Sequence, residues 1–124
     1  MTQARLLLFG LSAIYLVGVV VQFFLAGLGV FGSGDFDPHR ALGFALAVTS
    51  LILLVLAFVG RVSHELMGLA AVLLVLNVAQ MFLARVDIDA VAALHVVNAL
   101  VIAAAAALLV NRSRQFLTSK MAAP

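Results

Sequence analysis

The chain has 124 residues, of which 66% are hydrophobic and 10% are charged, and its formal net charge is +2. A composition this apolar excludes a water-soluble domain and indicates an integral membrane protein, with the lipid bilayer as its surroundings. The small positive charge does not indicate nucleic-acid binding, and the absence of cysteine excludes disulfides and thiolate metal sites.

Four uncharged stretches are long enough for the roughly 20 residues that a bilayer-spanning helix requires. They predict helices at residues 4–31, 38–60, 64–84 and 89–110. Residues 111–124 are expected to form a cytoplasmic tail that leaves the membrane and frays. The predicted fold class is therefore all-α, with residues 1–124 forming a single domain, an integral membrane four-helix up-down bundle.

The two halves of the chain repeat each other. Each carries a glutamine segment, an acidic corner and a histidine, in the order Gln22 to Ala26, Asp35 to Asp37 and His39, then Gln80 to Ala84, Asp87 to Asp89 and His95. We interpret the halves as parallel copies of one helical hairpin, related by a pseudo-two-fold axis along the membrane normal. The two histidines are then expected to face each other. Because His95 lies further along the chain from its acidic pair, equal depth requires helix tilt or a different corner geometry.

Residues at the helix starts predict how the returning helices begin. Asp37 is expected to cap the second helix, because a carboxylate accepts the free amide hydrogens of the first turn and Pro38 fits the first helical position. Ser63 is expected to cap the third helix in the same way. The two Asp-x-Asp pairs also offer oxygen ligands to a divalent cation, but capping is the favoured interpretation.

Basic residues are divided unevenly between the two ends of the predicted bundle. Most lie on the side of the termini, namely Arg5, Arg61, Arg112, Arg114 and Lys120, whereas Arg40 and Arg85 lie on the other side. Because Lys and Arg are retained on the cytoplasmic side, both termini are predicted to be cytoplasmic. Arginine in place of lysine, with much Ala, Val, Leu and Gly, is typical of a GC-rich bacterial genome. The predicted location is the bacterial cytoplasmic (inner) membrane.

Two histidines that face one interior match the arrangement of a bis-histidine heme site with neutral imidazoles. The residue four positions after each histidine is small, Gly43 after His39 and Ala99 after His95, and it shares the helix face of the histidine. A small residue there leaves room for a flat ring to approach the backbone. Alternatively, His95 hydrogen-bonds to another helix and His39 lies at the membrane interface. Ionisable residues within membranes are uncommon, which favours a functional role.

Gln22 and Gln80 are expected to point inward, because an unpaired amide is costly in lipid. The favoured interpretation is that they hydrogen-bond across the bundle. The functional alternative is that they hold a cofactor's polar edge or the second ring nitrogen of a histidine. Asn77 and Asn98 allow the same two interpretations.

Arg40 lies beside His39, on the side where basic residues are scarce. It is expected to pair either with a porphyrin propionate or with Asp35 or Asp37, and both interpretations stay open. His64 lies at the opposite end of the predicted bundle and is assigned no ligand role.

Small and aromatic residues suggest further contacts. Glycines in the first and third helices are predicted close-packing positions for neighbouring helices, namely Gly10, Gly18, Gly27, Gly29 and Gly68. The alanine run 103–107 suggests another tight contact, and such faces allow a homo-oligomer. Several phenylalanines either wall a ring pocket or simply pack, namely Phe23, Phe24, Phe31, Phe36, Phe44 and Phe82.

Two motifs carry a resemblance to known families, His39-Arg40-x-x-Gly43 and Leu94-His95-x-x-Asn98-Ala99. The chain resembles an uncharacterised family of small bacterial four-helix membrane proteins. More distantly, it resembles one four-helix half of heme A synthase and b-type membrane cytochromes, although Val96 departs from that pattern. The resemblance implies heme ligation by His39 and His95. It does not imply synthase chemistry, because no acidic residue directly precedes His39.

The leading hypothesis is a small membrane protein that binds heme b through His39 and His95. Two imidazoles fill both axial positions, which favours electron transfer or heme handling over catalysis, with a quinone or a membrane redox complex as partner. One alternative is a cofactor-free structural or accessory subunit of a larger membrane complex, which predicts a filled bundle interior. Another is a small oligomeric transporter, which predicts a continuous polar passage.

Overall fold

The computed structural model describes residues 2–32 and 34–121, and it confirms an all-α four-helix bundle. The helices are α1 (Thr2–Phe31), α2 (Asp37–Val59), α3 (His64–Leu83), α4 (Asp89–Ala92) and α5 (Leu94–Met121). Four helical segments are long and apolar enough to cross a membrane, namely α1, α2, α3 and residues 89–119. Their length and composition are those of membrane-spanning helices.

Consecutive long helices run up and down, and short connections join them. α1 packs against α2 and α5, and α3 packs against the same two helices. Consequently α2 and α5 lie diagonally opposite each other, and α1 and α3 form the other diagonal. We call the end with the α1–α2 and α3–α4 connections the corner end, and the end with the α2–α3 connection the terminal end.

The interior of the terminal half is closed by apolar side chains. Leu8, Leu53, Leu66 and Leu109, one from each long helix, are at most 2% exposed and belong to one cluster. Large apolar side chains on the outer faces of the helices are exposed instead, as lipid contact requires. Close packing of the leucines therefore joins the helices at this end.

The end of the fourth predicted helix differs from the sequence prediction. The helix was expected to stop near residue 110 and continue as a fraying tail, but α5 runs to Met121. Leu117 is 8% exposed, and the guanidinium carbon of Arg5 lies 5.2 Å from the ring centre of Phe116. These contacts hold the last turns of α5 against α1. The end of the predicted tail, residues 122–124, lies outside the described residues.

The start of the fourth predicted helix is interrupted. α4 forms a single turn from Asp89, and Ala93 separates it from α5, which begins at Leu94. His95 is therefore the second residue of α5, much as His39 is the third residue of α2. A different corner geometry thus gives the two histidines similar places in their helices. No side chain caps α4, so capping by the second acidic pair is not observed.

One of the two predicted caps is confirmed and the other is wrong. The amide of Leu66 donates to the Ser63 hydroxyl at 3.4 Å, as predicted. Asp37, however, lies inside the first turn of α2, and Phe36 holds the N-cap position without a side-chain hydrogen bond. The Asp37 amide donates to the Asp35 carboxylate at 2.8 Å. The first carboxylate of the acidic pair therefore accepts from the backbone amide of the second acidic residue.

The predicted close-packing glycines fall into two groups. A Cβ atom at Gly18 would lie 2.9 Å from Leu46, and one at Gly29 would lie 2.5 Å from the Phe36 ring. These two glycines therefore allow close contact within the chain. Three others make no close contact within the chain, because no neighbouring atom lies within 4 Å of a Cβ position, namely Gly10, Gly27 and Gly68. In the alanine run, Ala105 and Ala106 are buried in the core.

Candidate functional site

A cleft of about 410 Å³ opens into the corner half of the bundle. All four long helices contribute to its walls, and apolar side chains such as Val19, Leu46, Met81 and Ile102 form much of its lining. The structure brings every residue of the predicted cofactor site to this cleft, namely Gln22, His39, Arg40, Gly43, Gln80, His95 and Ala99.

The two histidine rings lie close together across the bundle. His39 comes from α2 and His95 from α5, which are diagonally opposite helices. Their ring centroids are 6.1 Å apart and their planes are inclined by 56°. Both residues are half-buried. The structure thus places the rings as the repeat predicts, at one level of the cleft.

The His39 ring is held on two sides. Its Nδ1 lies 3.2 Å from the backbone oxygen of Gln22. Because a carbonyl oxygen only accepts, this contact places the ring hydrogen on Nδ1 and leaves the lone pair of Nε2 free in the neutral imidazole. The edge of Phe36 packs against the ring, with centroids 6.3 Å apart and planes at 85°. Tautomer and orientation are therefore both determined by neighbours of His39.

His95 is held by its backbone instead of its ring. Its Nδ1 is buried and has no hydrogen-bond partner among the described residues. Its backbone oxygen accepts a hydrogen bond of 3.0 Å from the side-chain amide of Gln80. The two histidines thus differ in how the protein orients them.

Gln22 and Gln80 make the same contact in the two halves of the repeat. The Gln22 amide donates to the His39 backbone oxygen at 2.8 Å, and the Gln80 amide donates to that of His95 at 3.0 Å. The first hydrogen bond joins α1 to α2, and the second joins α3 to α5, so each joins the two long helices of one hairpin. The interpretation that these amides hydrogen-bond between helices is confirmed, and so is the equivalence of the two halves.

Gly43 provides space for one of these amides. A Cβ atom at this position would lie 2.8 Å from Nε2 of Gln22, so any side chain there would displace the amide from the His39 oxygen. The sequence suggested that the small residue leaves room for a flat ring. The structure shows that the space beside Gly43 is used by Gln22.

The two glutamines differ in their second contact. Oε1 of Gln80 accepts a hydrogen bond of 2.6 Å from Asn98, which also donates to the Leu76 backbone oxygen at 2.9 Å. Asn98 lies three residues after His95, and the equivalent position after His39 is Leu42. Oε1 of Gln22 is accordingly buried without a partner among the described residues.

We therefore expect the same substitution to have different effects at the two equivalent positions. Gln80→Leu removes the hydrogen bonds to His95 and Asn98, whereas Gln22→Leu removes one hydrogen bond together with an unpaired buried oxygen. The free energy of unfolding should fall by about 1 kcal/mol more for Gln80→Leu. Denaturant titration of both variants in detergent micelles measures the difference. Equal losses would contradict this account of the asymmetry.

A buried polar pair lies at the inner end of the cleft. The Asn77 amide donates to the Tyr15 hydroxyl oxygen at 2.7 Å and to the Leu73 backbone oxygen at 2.8 Å. Since both amide hydrogens are used, Tyr15 acts as the acceptor, and its own hydrogen has no acceptor among the described residues. Tyr15 was not predicted as a site residue. The sequence feature that could have identified Tyr15 is that it is the single tyrosine of the chain and lies in the middle of an apolar helix.

Two arginines line the cleft near the corner end. Arg40 forms an ion pair of 2.8 Å with Asp37, which is one of the two partners that the sequence allowed. Arg85, which follows the end of α3, has no ion pair within the described part of the chain. The sequence analysis assigned Arg85 no role in the site and counted it only as one of the two basic residues on this side of the membrane.

The remaining predicted features divide between the cleft and the surface. Phe23 and Phe44 line the cleft, although Phe44 is itself largely exposed, and three other predicted aromatics are largely exposed outside it, namely Phe24, Phe31 and Phe82. His64 is exposed at the terminal end. Residues 2–32 and 34–121 contain no group of three or more His, Cys, Asp or Glu that could hold a metal ion.

Comparison with known families matches residues 22–87 to a Family of unknown function (DUF6220). The matched segment covers more than half of the 124 residues, includes Gln22, His39 and Gln80, and ends before His95. No curated protein and no solved structure matches the chain. The resemblance to heme A synthase and b-type cytochromes stays a prediction from the sequence.

Proposed function

The chain belongs to the DUF6220 family of unknown function, and we propose that it is a small membrane protein that binds heme b between His39 and His95. The observation that carries the proposal is the 6.1 Å separation of the two ring centroids. Two metal–nitrogen bonds of about 2 Å, with about 1.2 Å from each nitrogen to its ring centre, require about 6.4 Å. The two rings therefore have the spacing of a pair of axial ligands.

The hydrogen bonding around His39 also fits a ligand. Its Nδ1 is 3.2 Å from the Gln22 oxygen, which leaves Nε2 as the nitrogen with a free lone pair. Ligating histidines almost always donate their other ring N–H to a carbonyl, carboxylate or water. The contact with the Gln22 backbone oxygen in α1 therefore supports His39 as a ligand.

The cleft has the character that a porphyrin requires. Its volume of about 410 Å³ lies in the range of about 300–1,000 Å³ that is common for pockets of small molecules. Apolar side chains line its walls, and Arg85, which forms no ion pair among the described residues, lies at its mouth. An apolar macrocycle with acidic groups along one edge matches this distribution. The residues present therefore fit the group.

The arrangement favours electron transfer or heme handling. A heme held there by His39 and His95 would supply one-electron oxidation and reduction, and with both imidazoles bound to its iron it would not bind oxygen. We propose a quinone or a membrane redox complex as the partner. We propose the bacterial cytoplasmic membrane as the location, and the charge distribution supports an orientation with both termini in the cytoplasm and the corner end facing outward.

The structure favours this proposal over the two alternatives from the sequence. A cofactor-free accessory subunit predicts a filled interior, and a cleft of about 410 Å³ argues against it. A transporter predicts a continuous polar passage, and the leucine cluster that closes the terminal half argues against one within a single chain.

The visible absorption spectrum of the detergent-purified protein tests the proposal. Protein from heme-supplied cells should contain equimolar heme, and dithionite reduction should produce the sharp bands of a low-spin ferrous center. A colourless protein, or one whose heme stays high-spin after reduction, would overturn it.

A further inference from the structure

We propose that Arg85 binds the acidic groups of the ligand at the mouth of the cleft and so determines which edge of the ligand faces the corner end. For the proposed heme these groups are the propionate carboxylates. This inference rests on the proposed function. It assigns the binding of the acidic groups to Arg85, whereas the sequence analysis had considered Arg40 for that role.

The backbone holds Arg85 in a defined place beside the cleft. α3 ends at Leu83, and the Arg85 amide donates to the Phe82 oxygen at 3.0 Å, which continues the helical turn. Arg85 lines the cleft together with Ala84 and is itself exposed. Its side chain therefore lies between the cleft and the surroundings of the protein.

The two arginines at the mouth differ in whether their charge is compensated. Arg40 is paired with the Asp37 carboxylate at 2.8 Å. Arg85 forms no ion pair within residues 2–32 and 34–121, although Asp87 is only two residues away in the sequence. Basic residues are scarce on this side of the membrane, so the presence of an unpaired Arg85 there calls for an interaction close to it. An acidic group of a ligand in the adjoining cleft supplies one.

The chemistry of the cleft allows acidic groups at the mouth and not at the inner end. A guanidinium binds a carboxylate or a phosphate through two parallel hydrogen bonds. At the inner end the polar groups are the neutral Tyr15 and Asn77, which carry no compensating charge. A ligand with an apolar body and one acidic edge therefore enters with that edge toward Arg85. A lipid phosphate would offer Arg85 the same chemistry.

Titration with hemin and with hemin dimethyl ester tests the pairing directly, because esterification removes the carboxylate charges. The protein, purified from heme-depleted cells, is titrated as wild type, as Arg85→Gln and as the matched control Arg40→Gln. We expect Arg85→Gln to weaken hemin binding about tenfold and to leave binding of the ester unchanged. Arg40→Gln should weaken hemin binding by less than about threefold, since its charge is already paired.

The other outcomes each have a distinct meaning. Unchanged hemin affinity in Arg85→Gln, or equal weakening for hemin and its ester, overturns the role of Arg85. If Arg85→Gln instead reduces only the co-purification of phosphatidylglycerol, the partner is a lipid phosphate and the proposal is also overturned. If wild-type protein binds neither hemin nor its ester, the proposed function fails, and the role of Arg85 fails with it.

Discussion

Replacing either His39 or His95 with alanine is expected to abolish the low-spin bands of the reduced protein, whereas His64→Ala leaves them unchanged. The centroids of the two rings are 6.1 Å apart; under the proposed function each ring would supply one bond to the heme iron, so that loss of either should leave a high-spin center. His64 is exposed at the other end of the bundle and controls for the removal of an imidazole. Spectra of the oxidised and reduced forms of the three variants measure the effect.

The two substitutions should differ in their effect on the protein without heme. His39→Ala removes a ring that contacts the Gln22 oxygen and Phe36, whereas His95→Ala removes a ring whose buried Nδ1 has no partner in the described part of the chain. We therefore expect His39→Ala to lower the unfolding free energy more than His95→Ala does. Low-spin bands that persist in either variant would contradict ligation by that residue.

Gly29→Ala is expected to destabilise the bundle by about 1–3 kcal/mol, because it overpacks a close contact. The new Cβ atom would lie 2.5, 2.7 and 2.8 Å from three atoms of the Phe36 ring, so the whole ring must move. That ring packs against His39, and the substitution should therefore also weaken heme binding. Denaturant titration and the heme spectrum provide the two measurements.

Gly27→Ala is the matched control for this prediction. It lies on the same helix and has no neighbouring atom within 4 Å of its Cβ position. Both substitutions gain helix propensity of about 1 kcal/mol, so the difference between them isolates the contact with Phe36. In a double-mutant cycle, Phe36→Ala should remove most of the penalty of Gly29→Ala. If Gly27→Ala is as destabilising as Gly29→Ala, the contact with Phe36 is not the cause.

Much of the candidate site was predictable because its residues recur. The repeat identified Gln22 with Gln80 and His39 with His95, and the structure gives each glutamine the same hydrogen bond to its histidine. Periodicity and repetition depend only on order along the chain. The repeat puts these glutamines and histidines at equivalent positions of the two hairpins, and packing of the bundle brings them to one cleft.

Two features of the site were not predictable from the repeat. Asn98 has Leu42 as its counterpart, so only Gln80 has a partner for its second amide atom. The pairing of Tyr15 with Asn77 joins two helices that are not consecutive in the chain. Such contacts depend on which side chains reach each other across the bundle, and sequence spacing does not specify that distance.

The sequence by itself determined that this is an all-α membrane protein with four long helices, because lipid offers no hydrogen bonds and selects long apolar helices whatever their packing. It also determined that the halves repeat. Only the tertiary structure decided that α4 is a separate turn, that α5 continues to Met121 and that Arg40 pairs with Asp37. The continuation of α5 depends on contacts such as that of Arg5 with Phe116, residues that are adjacent only once the helices have packed. The pair of Arg40 with Asp37 is local to the first turn of α2, and the structure decides it only because the sequence allowed other partners.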